Sequence, residues 1–323
     1  MKHKRLLKIF LYGLLMIFLI FPFSIARFSN SKKHSGTINV RNQLCEVFSG
    51  DAAEYILQRE GGKEYINSKP KPDMGVNANT REGMFMAEDD CGKSYYYRGV
   101  ADNWLSFAGF YWRIIRINGD GSIRMIYAGD KINGNSRYDI GNYPYNSNNT
   151  SINYVDYRLS QAKNIVDEWY KNNILEKGFS GKVADTCYCN DMSIDSSGNF
   201  GADNRLKKKT PSLRCPNKED FLTQRSNALK YPVALITRDE ASFAGATHFN
   251  SQEYNSVYFL NTPGWYWTMS PLSWDGNEAH VFFLGSGRIY QPPPYAVRPV
   301  LSLKSDVTLT SGDGTESNPF IVS

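Results

Sequence analysis

A short polar stretch late in the chain carries the residues best suited to binding chemistry. It reads Trp274-Asp-Gly-Asn-Glu278 and lies between two runs rich in apolar residues. An exposed Trp can stack on a sugar ring or anchor a protein interface. The oxygens of the Asp, Asn and Glu side chains could hold a sugar hydroxyl or a Ca²⁺ ion. We predict a ligand-binding face formed by Trp274, Asp275, Asn277, Glu278, His280 and Tyr290.

The same stretch has a simpler interpretation, which is a turn whose Trp packs inward while its acidic residues stay in solvent. For any single residue the turn is the better interpretation, whereas for the domain as a whole binding is the better one. The ligand would be a glycan or a protein. We predict no cofactor, with Ca²⁺ as a possible exception.

Catalysis is the alternative, as a hydrolase or a protein-modifying enzyme of the cell envelope. A Ser-His-Asp hydrolase would need His248 or His280 beside a nucleophile. The sequence has no Gly-x-Ser-x-Gly motif, and Gly285-Ser-Gly287 is more simply a hairpin turn. We therefore favour a protein that is not an enzyme. A structural, adhesin-like surface protein without a small ligand is the third interpretation.

Five cysteines lie at positions 45, 91, 187, 189 and 215. The Cys187-Tyr-Cys189 spacing is too tight for an easy mutual disulfide. Either of these two could pair with Cys215, closing a loop of about 26 residues that is worth about 3 kcal/mol in the chain-entropy model. Cys45 and Cys91 form the other plausible pair. Structural zinc is disfavoured because the sequence has no Cys-x-x-Cys motif.

The N-terminus predicts export from the cytosol. Four basic residues precede an apolar run from Ile9 to Phe21, which is the order of an export signal. Small residues before Arg27 favour cleavage after Ala26, yet the apolar segment is also close to the length that spans a bilayer. We predict a signal peptide or signal anchor over residues 1–27. The body would then be secreted or held at the membrane by its N-terminus.

The charge balance argues against a nucleic-acid partner. The chain has 37 basic and 32 acidic residues, but seven of the basic ones lie within the first 33 residues, which hold no acidic residue. The rest is slightly acidic, whereas a nucleic-acid-binding domain normally carries a basic surface of its own. The run Arg205-Leu-Lys-Lys-Lys209 is the one concentrated basic patch, and we interpret it as a solvated loop.

The predicted elements indicate an α+β domain over residues 83–323, after a linker and short helical region over residues 28–82. Apolar alternation around Asn118-Gly-Asp-Gly121 predicts a β-hairpin. Helical spacing predicts a main helix that Ser160 caps and that ends before Gly178. Residues 180–218 show no periodicity. Further predicted elements are a helix over Asp51–Glu60, a strand over Tyr231–Thr237, a helix over Arg238–Ala244, and strands over Trp265–Thr268, Ala279–Leu284 and Val297–Leu303.

Several blocks in this order resemble one family. They are Tyr95-Tyr-Tyr-Arg-Gly99, Phe107 to Gly121, Asp167-Glu-Trp-Tyr170, Arg214-Cys-Pro216, Pro232 to Glu240, Tyr266-Trp-Thr-Met-Ser-Pro271 and Val297-Arg-Pro-Val300. The chain resembles exported proteins of Firmicutes and related bacteria. These proteins carry a domain of unknown function related to the C-type lectin-like and formylglycine-generating-enzyme (sulfatase-modifying factor) fold. One departure is Ala296, where the family usually has Gly.

The resemblance implies a C-type lectin-like mixed fold, with short antiparallel sheets, one main helix and long loops, behind an N-terminal apolar helix. It also implies a disulfide between Cys189 and Cys215, and variable binding residues in the late loop region. Formylglycine-generating chemistry uses a cysteine pair late in the chain, and no Cys follows Cys215 here. The recurring strand and helix patterns imply buried side chains at Trp112, Trp169, Trp267 and Arg298.

Overall fold

Secondary structure alternates irregularly along the chain and gives a mixed α+β fold, as the sequence predicts. The structure, a computed structural model, describes residues 50–130, 138–247, 257–286 and 294–323. They belong to one compact unit. The helices are α1 Asp51–Arg59, α2 Gly62–Ser68, α3 Gln161–Tyr170, α4 Gly201–Lys207 and α5 Arg238–Ala244. The strands are β1 Arg81–Asp89, β2 Gly92–Gly99, β3 Trp104–Phe107, β4 Phe110–Ile117, β5 Ile123–Tyr127, β6 Asn142–Tyr143, β7 Val183–Ala184, β8 Tyr188–Cys189, β9 Phe221–Leu222, β10 Val233–Ala234, β11 Gly264–Trp274, β12 Ala279–Ser286, β13 Tyr295–Ala296, β14 Val300–Leu303, β15 Leu309–Ser311 and β16 Phe320–Val322.

The predicted hairpin is the centre of the larger sheet. Strands β4 and β5 pair antiparallel, and the Asn118 N–H donates to the Ser122 carbonyl at 2.8 Å across the turn. The main path of this sheet runs β10-β14-β5-β4-β3-β16-β15, while β2 also pairs with β4 and carries β1. The register between β4 and β5 shifts between Ile114 and Arg116, so that Arg116 lies directly opposite Arg124.

The first and last described elements complete this sheet and its core. Strand β16 pairs parallel to β3, with Phe320 opposite Leu105. Helix α1 contributes Ala52, Ala53, Ile56 and Leu57 to the hydrophobic core. This helical region, which the sequence assigns to the segment before residue 83, therefore packs in the same core as the sheet. The remainder of the predicted linker before Gly50 and the predicted signal segment lie outside the described residues.

A second sheet has the order β12-β11-β13-β6. Trp267 of β11 is buried, and its indole N–H donates to the Tyr143 carbonyl at 2.8 Å. Strand β11 is longer than predicted and reaches Trp274. The predicted strand over Val297–Leu303 is shorter, because Pro299 has no N–H for a ladder hydrogen bond and only Val300–Leu303 pairs as a strand.

The remaining predictions hold in part. Helix α3 begins after Ser160, whose hydroxyl accepts the Lys163 N–H, and a π-helical turn over Lys171–Leu175 extends it. The aperiodic 180–218 segment contains helix α4 and the short strands β7 and β8. Of the predicted strand over Tyr231–Thr237, only β10 forms. Among the described helices, none combines the length and apolarity needed to cross a membrane.

Candidate functional site

The predicted binding stretch is the turn between β11 and β12. Trp274, the last residue of β11, pairs with Ala279, the first residue of β12. One carboxylate oxygen of Asp275 accepts the N–H groups of Glu278 and Asn277, both at 2.8 Å. These hydrogen bonds to the carboxylate lower the pKa of Asp275 below its ordinary value. Asp275 therefore shapes the turn, while Asn277 and Glu278 face solvent.

The predicted site residues differ in exposure. Asn277, Glu278 and His280 are exposed, while Trp274 is half-buried and packs against the hydrophobic core. His280 lies opposite Ser273 at the start of β12, next to the turn. The structure thus brings five of the six predicted residues together, with Trp274 partly inward. Tyr290 lies outside the described residues.

Two other polar loops lie against this turn. The Trp274 N–H donates to the Gly198 carbonyl at 2.8 Å, and the Ala279 N–H donates to the Asn149 carbonyl at 2.7 Å. Gly198 has a φ of 82°, and a Cβ there would meet the Trp274 carbonyl oxygen at 1.9 Å. Only glycine allows this close approach. We call residues 146–150, 195–199 and 274–278 together the loop face.

Each neighbouring loop is closed by its own side-chain acceptor, as the 274–278 turn is. The Asp195 carboxylate accepts the N–H groups of Ser197 at 2.8 Å and Asn199 at 3.0 Å. The Asn148 side-chain oxygen accepts the Thr150 N–H at 3.0 Å. Such Asx turns fix a loop locally without any help from the core. The loop face is therefore polar, exposed in large part, and pre-organised.

A second polar region lies inside the molecule. Arg116, directly opposite Arg124 in the sheet, donates to Asp89 at 2.7 Å. Glu240 lies 3.3 Å from the Arg116 guanidinium and 2.6 Å from that of Arg124. Like charges directly opposite on a sheet repel, and the two carboxylates offset that repulsion. We call Arg116, Arg124, Asp89 and Glu240 the balanced cluster.

Glu240 is held in place by the start of helix α5. Thr237 and Glu240 form a capping box, in which the Thr237 hydroxyl accepts the Glu240 N–H and the Glu240 carboxylate accepts the Thr237 N–H at 3.0 Å. Burial alone would raise the pKa of Glu240. The positive charges of Arg124 and Arg116 outweigh burial and hold the pKa below its ordinary value. Glu240 is therefore a carboxylate at neutral pH.

A cavity of about 40 Å³ lies beside the balanced cluster. This volume suits water molecules rather than a sugar ring. Arg205 on helix α4 lines it and donates to Asp191 at 2.6 Å and, through two nitrogens, to Asp239. The sequence interpretation of the Arg205–Lys209 run as a solvated loop is therefore wrong for Arg205, because two buried carboxylates hold its guanidinium.

The cysteines 187, 189 and 215 meet near the same cavity. Cys189 and Cys215, the pair implied by the resemblance, are joined by a disulfide with an S–S distance of 2.01 Å. The Cys187 thiol is free. Burial raises the pKa of Cys187 well above its ordinary value, and the negative charge of Asp90 raises it further. The nearby arginines therefore do not activate this thiol. The predicted pairing of Cys45 with Cys91 reaches outside the described residues.

The residues predicted to be buried behave as expected with one exception. Trp112, Trp267 and Arg298 are buried, whereas Trp169 is half-buried and packs edge-on against Trp112. The Arg298 guanidinium donates through Nε and Nη2 to the Tyr127 carbonyl, at 3.0 and 2.9 Å. The expectation that a buried Arg298 would be hydrogen-bonded to carbonyls is confirmed.

Sequence reasoning did not place the two neighbouring loops beside the 274–278 turn. A signal for one of them was present in the Asp195-Ser-Ser-Gly-Asn199 stretch, whose Asp and Gly are typical turn residues. Nothing local in the sequence, however, places this stretch beside residue 274. The balanced cluster was also missed, although Arg116 and Arg124 stand in the predicted hairpin.

Comparison of the chain with known proteins found no matching family model, no similar curated protein and no similar solved structure. Within residues 50–130, 138–247, 257–286 and 294–323, no three His, Cys, Asp or Glu side chains converge as metal ligands. The geometry of the loop face and of the buried charges is therefore the basis for inferring the function.

Proposed function

We propose that the chain is an exported protein whose domain binds a polar ligand, a glycan or a surface protein, at the loop face without catalysing a reaction. The observation that carries this proposal is the coupling of three polar loops by backbone hydrogen bonds at Gly198 and Asn149. Loops fixed on a rigid sheet bind with little loss of conformational freedom. Half-buried Trp274 would supply an apolar surface within this polar face.

Two observations support an extracellular location. The Cys189–Cys215 disulfide suits an oxidising environment. The basic and apolar order of residues 1–27 suits an export signal or a membrane anchor. We propose that the protein is secreted or attached to the membrane by its N-terminus, and that it has no nucleic-acid partner.

The finer fold assignment is part of the same proposal. The α+β architecture with short strands, one main helix and long connecting segments is compatible with a C-type lectin-like domain. The resemblance supports that assignment and, with it, binding through loops late in the chain. An envelope enzyme and a structural adhesin without a small ligand remain the alternatives.

A glycan array with the purified domain, with and without Ca²⁺, tests the proposal. Asn277→Ala combined with Glu278→Ala removes two exposed side chains of the loop face. Asn164→Ala combined with Glu168→Ala is the matched control, because it removes the same residue types from the exposed side of helix α3. We expect binding to be lost only in the loop-face variant, with melting temperatures within a few degrees of the wild type.

Equal binding by both double variants would show that the ligand site lies elsewhere. Loss of binding only when Ca²⁺ is removed would identify the ion as part of the site. Trp274→Ala is a less clean variant, since its half-buried indole packs against the core and its removal also lowers stability.

A further inference from the structure

Two arginines lie near the opposite end of β11 from the loop face. Arg298 is 1% exposed and lies just after β13. Arg113 on β4 is half-buried, and its guanidinium lies 4.4 Å from the centre of the Trp104 ring. Tyr266, whose ring lies 4.7 Å from the Arg298 guanidinium, is eight residues from Trp274 along the strand. This separation corresponds to roughly 25 Å of extended chain.

Neither guanidinium has a carboxylate partner among the described residues. Arg113 donates to the side-chain oxygen of Asn103 and to the Ala101 carbonyl. Arg298 donates twice to the Tyr127 carbonyl, and its Nη1, which is buried, has no hydrogen-bond partner in the described parts of the chain. All of these acceptors are neutral. We call Arg113 and Arg298 the arginine pair.

The two positive charges act on each other. Burial lowers the pKa of Arg113 to about 9, and the charge of Arg298 contributes to this shift in the same direction. Burial likewise lowers the pKa of Arg298. The charges of Glu316 and Asp102 act on Arg113, and the charge of Asp139 acts on Arg298, in the direction that raises each pKa, but burial outweighs them. Two desolvated like charges destabilise the fold unless an anion offsets them.

We infer that the arginine pair is a binding site for an oxyanion, that is, for a carboxylate, phosphate or sulfate group. The flat guanidinium groups present several N–H donors in a fixed geometry that matches such oxygens. Half-buried Arg113 gives access from solvent, and the unpartnered Nη1 of Arg298 offers a donor in a desolvated position. This site is separate from the loop face and does not depend on its function.

The test is a thermal and calorimetric titration of the exported domain with phosphate, sulfate and acetate. Sodium chloride at equal ionic strength is the reference, because general screening affects all surface charges. We expect a saturable rise in melting temperature with at least one oxyanion and no comparable rise with chloride. Acetate distinguishes a carboxylate site from a phosphate or sulfate site.

Variants locate the binding. Arg113→Met should lower the affinity for the oxyanion at least about tenfold, since a hydrogen bond to a charged group contributes this much affinity. Arg113→Lys keeps the charge without the planar fork and should bind at an intermediate strength. Arg214→Met is the matched control, because it removes an exposed arginine that pairs with Glu88 on the surface, and it should bind like the wild type.

Two results would overturn the inference. One is the absence of a saturable shift with all three oxyanions. The other is binding of equal strength by wild type and Arg113→Met, which would place the anion at another surface. Arg113→Lys retains the positive charge. Intermediate binding by this variant would show that the loss of oxyanion binding in Arg113→Met reflects the missing guanidinium and not a failure to fold.

Discussion

Two groups of arginines each contribute one member to strand β4 but are neutralised differently. In the balanced cluster, Arg116 and Arg124 face each other across β4 and β5, and Glu240 lies between them. In the arginine pair, three residues earlier on β4, Arg113 has only neutral acceptors within hydrogen-bond distance among the described residues. The positive charges of the balanced cluster are neutralised by carboxylates of the protein itself. The positive charges of the arginine pair are left to interact with an anion from solution.

The difference separates structural charges from charges suited to binding. A buried ion pair whose partners satisfy each other contributes little net free energy, yet loss of one partner is costly. A buried cation with neutral acceptors keeps part of its charge uncompensated, and an incoming anion can gain from that. Burial alone therefore does not identify a functional arginine, and the partners of each guanidinium have to be considered.

The largest effect is expected when the balanced cluster loses its central carboxylate. Glu240→Gln leaves Arg116 and Arg124 opposite each other, with Asp89 as the remaining carboxylate of the cluster. We expect a loss of about 3–5 kcal/mol in the free energy of unfolding, as for other broken buried ion pairs. Urea denaturation measures it. Glu168→Gln, on the exposed side of helix α3, is the control and should be close to neutral.

The stability lost in Glu240→Gln should depend on pH, which tests whether the ion pairs of Glu240 cause the loss. The pKa of Glu240 is lowered in the folded state, so its carboxylate stabilises the fold above the ordinary value of 4.5. This contribution is lost as the pH falls through the folded pKa. The difference between wild type and Glu240→Gln should therefore be largest at neutral pH and shrink at pH values below 4.5. A difference that stays constant with pH would contradict the ion-pair explanation.

A pair of matched substitutions on one strand compares the two groups directly. Arg116→Met leaves Asp89 and Glu240 with excess negative charge and should cost about 3–5 kcal/mol. Arg113→Met leaves only neutral acceptors and also removes a repulsion, so we expect a cost of about 1–3 kcal/mol. Both values come from urea denaturation at neutral pH. Equal costs would mean that the two arginines are neutralised to the same degree.

The smallest effect concerns the reactivity of Cys187, which lies near the balanced cluster. Because burial and Asp90 raise its pKa, alkylation by iodoacetamide at pH 8 should be slow in the folded protein and fast in denaturant. Asp90→Asn removes one negative charge and should speed the reaction modestly without unfolding the domain. Peptide mass spectrometry measures the labelling. Rapid labelling of the folded wild type would contradict a buried thiol with a raised pKa.

Local signals explain most of what the sequence predicted correctly. The hairpin around residues 118–121 follows from alternation and a strong turn, and helix α5 starts at a capping box formed by Thr237 and Glu240. Both features are encoded within a few residues. The same locality explains the partial error over Val297–Leu303, where the apolar pattern predicts a strand but Pro299 interrupts the ladder.

Contacts between distant segments were beyond sequence reasoning. Glu240 meets Arg116 across 124 residues of chain, and no periodicity reports such a pairing. Likewise, the turn at Asp275 could be predicted, but its contact with Gly198 could not, since it depends on how helix α4 and its neighbouring loops pack. The loop face and both arginine groups therefore emerge only from the tertiary structure.

The parallel pairing of β16 with β3 has a consequence for biosynthesis. Phe320, which is fully buried, lies opposite Leu105, so this part of the sheet cannot close until the chain has been synthesised as far as residue 320. Long-range pairing of this kind slows folding. If the chain is exported, as we propose, and crosses the membrane unfolded, this delay is useful. The order of strands along the chain would keep the chain unfolded during translocation. Folding, and oxidation of the Cys189–Cys215 pair, would then follow outside the membrane.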